Sequence, residues 1–258
     1  MREDMRRFEG KVALVTGATS GIGQATAVRL ASEGALVGVN YRASGNPSQT
    51  MEQIEEIGGK AFPILADMRE PDQVVAMVHE VAQQGGRLDY LVSNAAINPY
   101  IKWDETTFED YDRIQEINQR GTWVVCQTAA KQMIHEGHAG AIVCVSSMSA
   151  WVGASTQEVY CATKAGICMI TKALAIVLGP HNIRINVVLP GNIATPMSKE
   201  LQKSGSAQRK YYESRTPLGR IGEAKEVAAA IAFLLSDDAS YISSSELLVD
   251  GGYVVNAE

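Results

Sequence analysis

The sequence predicts an α/β domain: a doubly wound, parallel β-sheet with helices on both faces. Three observations carry this. Short β-prone runs alternate with helical segments along the chain, the rhythm of βαβ units. Several runs, such as Lys11–Thr16 (KVALVT), are almost continuously apolar, as strands covered on both faces are. The length of 258 residues suits one large domain, which should bury roughly 70–75% of its extended surface.

After the first strand, residues 22–33 read as a helix, with Ile22, Ala25, Val28 and Leu30 as its apolar face and Gly34 as its stop. Residues 35–40 (ALVGVN) form the second strand. A helix over 47–57 opens on Pro47 and closes at Gly58-Gly59. Residues 61–66 are the third strand, 71–84 a helix with Pro in its first turn, and 88–93 the fourth strand. Two separate helices follow, over 108–118 and 122–135, then a fifth strand over 140–146 and a long helix over 157–178. Strand six spans 182–189, a helix spans 223–235, and 246–249 (ELLV) is the last strand. The polar stretch 192–222 breaks the rhythm. It carries Pro196 and Pro217, includes a charged helix-like piece over 197–213, and reads as a lid inside a single domain spanning 1–258.

Composition excludes several classes. Lys plus Arg number 23 against 29 Asp plus Glu, a net charge of −6, which argues against nucleic acid as a partner. No uninterrupted apolar run reaches ~18 residues, and the N-terminal MREDMRRFEGK lacks the apolar core of a signal peptide. The expectation is a cytoplasmic protein with no membrane partner. Cys126, Cys144, Cys161 and Cys168 sit in apolar segments without metal-type spacing and read as buried thiols. His79, His135, His138 and His181 form no ligand set, so no metal is expected.

The chemistry begins at the first turn. Thr16-Gly17-Ala18-Thr19-Ser20-Gly21-Ile22-Gly23 lies between strand one and its helix, spaced G-x-x-x-G-x-G. Gly17 permits a tight turn, Gly21 admits a pyrophosphate to the backbone, and Gly23 lets helix and sheet approach. The helix N-terminus then offers free N–H groups and a positive dipole end to phosphates, so Gly17, Thr19, Ser20, Gly21, Ile22 and Gly23 are cofactor-binding candidates. The second strand ends Asn40-Tyr41-Arg42, where an acidic residue would ordinarily meet the ribose hydroxyls. Arg42, with Ser44 beyond it, suits a 2′-phosphate instead, which favours NADP over NAD, while Tyr41 stacking by the adenine leaves both usable. Asp67 and Met68 after strand three, and Asn94 and Ala95 after strand four, stand at the ligand-binding edge of such a sheet.

Tyr160 and Lys164 stand one helical turn apart, so both face one way. Ser147 follows strand five, and Asn118 closes an earlier helix. Hydride leaves a carbinol carbon only if the hydroxyl proton leaves too, which requires a base. A phenol titrates near ~10, and an ammonium ~5 Å away contributes roughly 3 kcal/mol at an effective dielectric of ~20. That contribution would bring Tyr160 toward ~8. Ser147 would hold the substrate oxygen, and Asn118 would anchor a water relaying protons from Lys164. Trp151, in the loop after Ser147, is the aromatic most suited to substrate contact.

Together these residues resemble the short-chain dehydrogenase/reductase family over essentially the whole chain. The matching pieces are TGATSGIG at 16–23, SNAA at 93–96, Asn118, Ser147, YCATK at 160–164, PGNIAT at 190–195 and LLVDGG at 247–252. The resemblance implies a Rossmann-type domain with a seven-stranded parallel sheet, NAD(P) binding and an Asn118-Ser147-Tyr160-Lys164 tetrad. It also implies that Ile193 and Thr195 meet the nicotinamide carboxamide, that Tyr160 and Lys164 reach the cofactor, and that the chain is a homotetramer paired through the helices at 122–135 and 157–178. Ser93-Asn94-Ala95-Ala96 departs from the family's usual Asn-Asn-Ala-Gly, adding a methyl near the cofactor. Within the family, VSNAAINP, IVCVSSMSAWVG, RTPLGRIG and LVDGGYVVN look like sugar 1-dehydrogenases, which oxidise an aldopyranose at C1 to the lactone. Asn98, Ser149, Gln157 and Asn192 would supply hydroxyl partners. The competing readings are a ketoreductase, including 3-oxoacyl-carrier reduction, and a non-catalytic NAD(P) sensor on the same fold.

Overall fold

A computed structural model describes residues 6–199 and 203–256. Its centre is a seven-stranded sheet of β1 (Val12–Val15), β2 (Leu36–Tyr41), β3 (Lys60–Leu65), β4 (Tyr90–Ser93), β5 (Gly140–Val145), β6 (Ile183–Pro190) and β7 (Glu246–Val249). The spatial order is β3-β2-β1-β4-β5-β6-β7, and every pairing is parallel. β1, β4 and β5 are the apolar runs of the sequence and are buried from end to end or nearly so. β3 lies at an edge and is mostly uncovered, which is where Pro63 is tolerated in a strand.

The helices cover both faces: α1 (Gly21–Ser32), α2 (Ser48–Glu56), α3 (Pro71–Gly85), α4 (Phe108–Gln115), α5 (Gly121–Glu136), α6 (Glu158–Leu178), α7 (Ala207–Arg215) and α8 (Ala224–Leu235). Two cores result, one on each face. Val78, Met133 and Ile167 belong to one, and Leu30, Val39 and Ile231 to the other. The chain leaves β3 and returns at β4 on the far side of β1, so the winding reverses between β1 and β4. A crevice opens at that reversal beyond the carboxyl ends of the strands, where ligands bind in such sheets.

Three expectations need correction, and a fourth needs only widening. The inward face of α1 holds Leu30, with Ile22 and Val28 packed against the same core as read, and it extends to Gly23, Thr26, Ala27 and Ala31. Close contact at Gly23 sets that face, and the Thr26 hydroxyl is satisfied by the Ile22 carbonyl at 2.7 Å. The two helices expected over 108–118 and 122–135 are one continuous run, because Glu116–Arg120 is a π-helical turn joining α4 to α5. The piece expected as a helix over 197–213 divides into a 3₁₀ turn, Pro196–Ser198, and α7, with residues 200–202 outside the described residues. Finally, Glu158–His181 is long and apolar enough, by length and composition, to cross a membrane. Counting uninterrupted apolar residues missed it because Thr163, Lys164, Thr171 and Lys172 punctuate the helix. Here Thr163, Lys164, Ile167 and Cys168 of that helix are buried. The four cysteines are free thiols; three are buried, and Cys161 is half-exposed.

Candidate active site

The glycine turn is braced from both sides by asparagines. Asn40, buried at the end of β2, accepts from the Gly17 N–H at 3.0 Å through Oδ1 and donates to the Ala66 carbonyl at 3.2 Å. From the end of β4, Asn94 donates to the Thr16 and Gly17 carbonyls at 2.9 and 3.2 Å, and Thr16 Oγ1 accepts from the Asn94 and Ala95 amides. Gly17 and Gly21 hold left-handed φ of 61° and 57°, which an L side chain rarely adopts. A Cβ on Gly23 would stand 2.3 Å from the Gly17 carbonyl oxygen and 2.5 Å from Asn94 Nδ2, so no other residue fits there. No side chain caps the N-terminus of α1, and its first turn holds no acidic residue. Those N–H groups fit a pyrophosphate. Thr195 lies over the same turn, its Cβ 3.3 Å from where a Gly21 Cβ would be. Ser198 holds this segment by donating to the Ile193 carbonyl at 2.6 Å.

At the adenine side, Tyr41 is half-buried and Arg42 is exposed with no ion pair among the described residues. Asp67 Oδ1 accepts from the Arg69 amide at 2.9 Å, which fixes the carboxylate at the end of β3, and Met68 is buried beside Gly121.

β5, the π turn and α6 bring Ser147, Asn118, Tyr160 and Lys164 together, and all four are buried. Ser147 caps the 3₁₀ turn Met148–Ala150, accepting from the Ser149 amide at 3.0 Å. Two bonds stitch α6 to the end of β5. Lys164 Nζ donates to the Val145 carbonyl at 2.8 Å, and Ser146 Oγ donates to the Lys164 carbonyl at 2.8 Å. The π turn packs closely on α6, where a Cβ on Gly166 would lie 2.3 Å from Nε2 at the flexible end of the Gln119 side chain. Asn118 Oδ1 accepts from the Ile97 amide at 2.8 Å, while its Nδ2 donates to the Ile97 carbonyl at 2.9 Å and Thr163 Oγ1 at 3.3 Å. Its side-chain donors are therefore committed to protein. They hold the chain leaving β4.

The electrostatics also depart from expectation. Burial pushes Tyr160 up from its ordinary value, and a hydrogen bond with Ser147 only partly opposes it. Burial likewise lowers Lys164 to about 8. The expected fall of Tyr160 toward ~8 counted the ammonium but not desolvation of the phenol, which is the larger effect here.

A cleft of about 790 Å³ opens over these groups. Asn94, Ala96, Ser147, Tyr160, Lys164 and Ile193 line its inner part. Asn98, Ser149, Gln157 and Asn192 line it as expected. Trp151 does not. Its indole donates to Glu246 Oε2 at 2.6 Å, at the start of β7, which turns it away from the expected place on the cleft wall. Sequence reading missed Tyr100, Tyr211, Tyr212 and Tyr253, which form the outer wall. They come from the loop after β4, α7 and the C-terminal segment, and no local spacing links them. It also missed Asn40 and Thr16 as braces, although an asparagine closing an apolar strand is the signal a buried, bonded amide leaves.

The comparisons agree with this geometry. A family model described as enoyl-(acyl carrier protein) reductase matches residues 17–254. An L-rhamnose 1-dehydrogenase (NAD(P)(+)) of Sphingomonas sp. is 41% identical over 98% of this chain and 100% of its own length. A 3-oxoacyl-[acyl-carrier-protein] reductase of Thermotoga maritima is 39% identical over 96% of this chain and 100% of its own. Among solved structures, a short-chain type dehydrogenase/reductase from Mycobacterium marinum superposes with a TM-score of 0.91 at 36% identity, covering 97% of this chain and 98% of that one.

Proposed function

The chain belongs to the short-chain dehydrogenase/reductase family of NAD(P)-dependent oxidoreductases, and from that premise we propose that it oxidises an aldose, L-rhamnose or a close relative, at C1 to the lactone. The observation that carries this reading is the polar cleft wall. Asn98 and Asn192 line the same cleft as Tyr160 and Ser147 and give its wall the polar character a hydroxylated substrate needs. When bound, the nicotinamide supplies the hydride acceptor and a positive charge. Ser147 Oγ donates to the C1 oxygen and fixes it. Tyr160 takes the C1 hydroxyl proton as the C1 hydride departs, leaving the lactone carbonyl. Lys164, anchored on Val145, keeps a positive charge near the phenol against the cost of burial.

Thr19, Ser20 and Ile22 of the turn, with Asn94, Ala95, Ile193 and Thr195, would hold the cofactor, and Arg42 would favour NADP. Arg42→Ala is then expected to lower kcat/KM with NADP by roughly 10-fold, the size of a lost charge-assisted hydrogen bond, and with NAD far less. Residues 192–222 act as the substrate lid. Exposed apolar residues on α5 and α6, such as Trp123, Met169 and Ile176, support a homotetramer, and the free cysteines support a cytoplasmic site.

A second reading, reduction of 3-oxoacyl-carrier substrates, is favoured by the similarity to the Thermotoga maritima protein. A spectrophotometric screen of aldoses and ketones with both cofactors, at neutral and alkaline pH, separates the two. Ketone reduction by NADPH without turnover of any aldose would overturn the sugar assignment.

A further inference from the structure

The mouth of the cleft differs in kind from its floor. Around Tyr160 the lining is polar, with Asn94, Ser147 and Lys164. Farther out, apolar and aromatic side chains converge from five separate segments. Tyr100 comes from the loop after β4, Val152 from the stretch after Ser147, and Met197 from the 3₁₀ turn after β6. Tyr211 and Tyr212 come from α7, and Tyr253 from the C-terminal segment. Val152 and Met197 are exposed, and so are Tyr100 and Tyr211, by 48% and 55%. Single exposed apolar residues need no explanation, but several gathered in one concavity mark a surface that a ligand covers.

The wall is braced rather than loose. Tyr211 meets Tyr212 edge-on with ring centroids 5.4 Å apart, and Tyr212 meets Tyr253 at 6.0 Å. Behind these rings, α7 and the C-terminal segment are tied together. Arg215 Nη2 donates to the Asn256 carbonyl at 3.3 Å, and Asn256 Nδ2 donates to the Arg215 carbonyl at 3.0 Å. The Gly252 and Val254 amides both donate to the Asp250 carboxylate, which fixes the turn that carries Tyr253. From the β4 side, Tyr100 holds a left-handed φ of 55°, which a bulky L residue rarely adopts. Its phenol is within electrostatic reach of the Tyr160 and Tyr212 phenols, so it joins the reacting end of the cleft to the α7 wall. Tyrosines have few rotatable bonds, and rings held on fixed backbone lose little freedom when a ligand arrives.

We infer that this aromatic mouth is the specificity-determining surface of the enzyme, and that it reads an apolar substituent carried beyond the reacting carbinol. In an aldopyranose oxidised at C1, that substituent is the C6 group on C5, across the ring oxygen. A methyl there covers the ring faces, whereas a bare hydrogen leaves them uncovered. The inference rests on the proposed oxidation of a carbinol at Tyr160, but it does not require the substrate to be an aldose. Any ring carbinol with a methyl two ring positions away presents the same shape.

The test compares kcat/KM within two pairs that differ by that methyl. One is L-rhamnose against L-lyxose, which has hydrogen in place of the methyl. The other is 3-methylcyclohexanol against cyclohexanol. The wild type is expected to favour the methyl-bearing member about 10-fold in each pair it turns over, the lower end of what one carbon is worth in an apolar pocket. Tyr100→Gly removes a ring and suits the left-handed φ, so the fold is spared. Tyr212→Ser removes a ring from the α7 side. Each should cut the ratio about 3-fold, a share of the same contact. Tyr100→Phe and Tyr212→Phe keep the ring faces and should keep the ratio. Cofactor affinity and thermal melting are the controls, and Tyr100→Gly decides the case if Tyr212→Ser does not fold. A wild-type ratio near 1, or a ratio unchanged in the folded ring-removal variants, overturns the inference even if L-rhamnose is oxidised. A ratio lost equally in the phenylalanine variants also overturns it, because the hydroxyls and not the ring faces then read the substrate. A methyl preference confined to the cyclohexanols, with no oxidation of any aldose, overturns the sugar assignment and leaves the aromatic mouth standing. Turnover of none of the four compounds overturns both.

Discussion

Lys164 Nζ donates to the Val145 carbonyl at 2.8 Å and stands 5.5 Å from the centre of the Tyr160 ring. An ammonium tied to the end of β5 is thus held beside the phenol, and both groups are buried. Burial lowers Lys164 from 10.5 to about 8. Between those values the unfolded chain binds more protons than the folded one, so this group makes the unfolding free energy rise with pH. The penalty is fully present below pH ~8 and is relieved as pH approaches 10.5. Tyr160 works in the opposite sense. Above ~10 the unfolded phenol ionises while the buried one keeps its proton, so its raised pKa makes stability fall as pH rises there, mostly beyond the window in which Lys164 titrates. The stability difference between wild type and Lys164→Met should therefore change by an amount of order 3 kcal/mol between pH ~7.5 and ~10, since each pH unit in that window is worth approximately 1.4 kcal/mol. Urea melts across that range read it directly. A difference independent of pH would show that Lys164 is not desolvated in the folded protein.

Tyr160→Phe removes only the phenolic oxygen from a ring that is already buried. The glycine turn and its asparagine braces are untouched, so cofactor affinity should hold within about 3-fold. Turnover should fall by roughly 10²–10⁴, the range a positioned acid–base group supplies. Fluorescence titration with NADPH alongside initial rates separates the two effects. Turnover that survives the substitution would remove Tyr160 from the proton transfer.

Asn40 makes a different kind of contribution. Its side chain is 2% exposed, joins Gly17 to β2, and ties β2 to the end of β3. Asn40→Leu strands the Gly17 N–H and the Ala66 carbonyl in the interior, at a cost of about 1–3 kcal/mol. Because the strain falls on the phosphate-binding turn, cofactor Kd should rise at least several-fold while kcat at saturating cofactor changes little. A loss of kcat with unchanged Kd would place the effect elsewhere.

These cases mark where sequence reading succeeds and where it stops. Apolar runs such as KVALVT fix strands because burial on both faces leaves few alternatives. The glycine turn was legible because left-handed φ and missing Cβ space exclude other residues at Gly17 and Gly23. Tyr160 and Lys164 were legible because one helical turn puts them on one face. The π turn at Glu116–Arg120 was not, because it differs from an α-helix by one hydrogen-bond step and no residue type in EINQR marks that difference. Nor was the pKa of Tyr160, since desolvation depends on the whole surrounding fold rather than on one neighbour. The partner of Trp151 lies 95 residues away on the last strand, beyond any local pattern.

That last contact yields the remaining prediction. Trp151 is 50% exposed, and its indole N–H reaches Glu246 Oε2, while Lys172 Nζ reaches Glu246 Oε1 at 2.6 Å. Burial pushes the Glu246 carboxyl up, but bonds from Lys172 and Trp151 outweigh it and leave the group below its ordinary value. Its stabilisation is thus present above the unfolded carboxylate range and is lost as pH falls through the lowered value. Trp151→Phe keeps the apolar area and removes one donor from this carboxylate. Stability at pH 7 should fall by about 1 kcal/mol, and the loss on acidification should shrink, because Glu246 then titrates closer to its unfolded value. The substrate KM should stay within about 2-fold, since the indole is turned to β7 and not to the cleft. Thermal melts at pH 7 and pH 4, with KM measured at pH 7, distinguish the roles. An unchanged melt with a KM raised 10-fold would return Trp151 to the substrate wall.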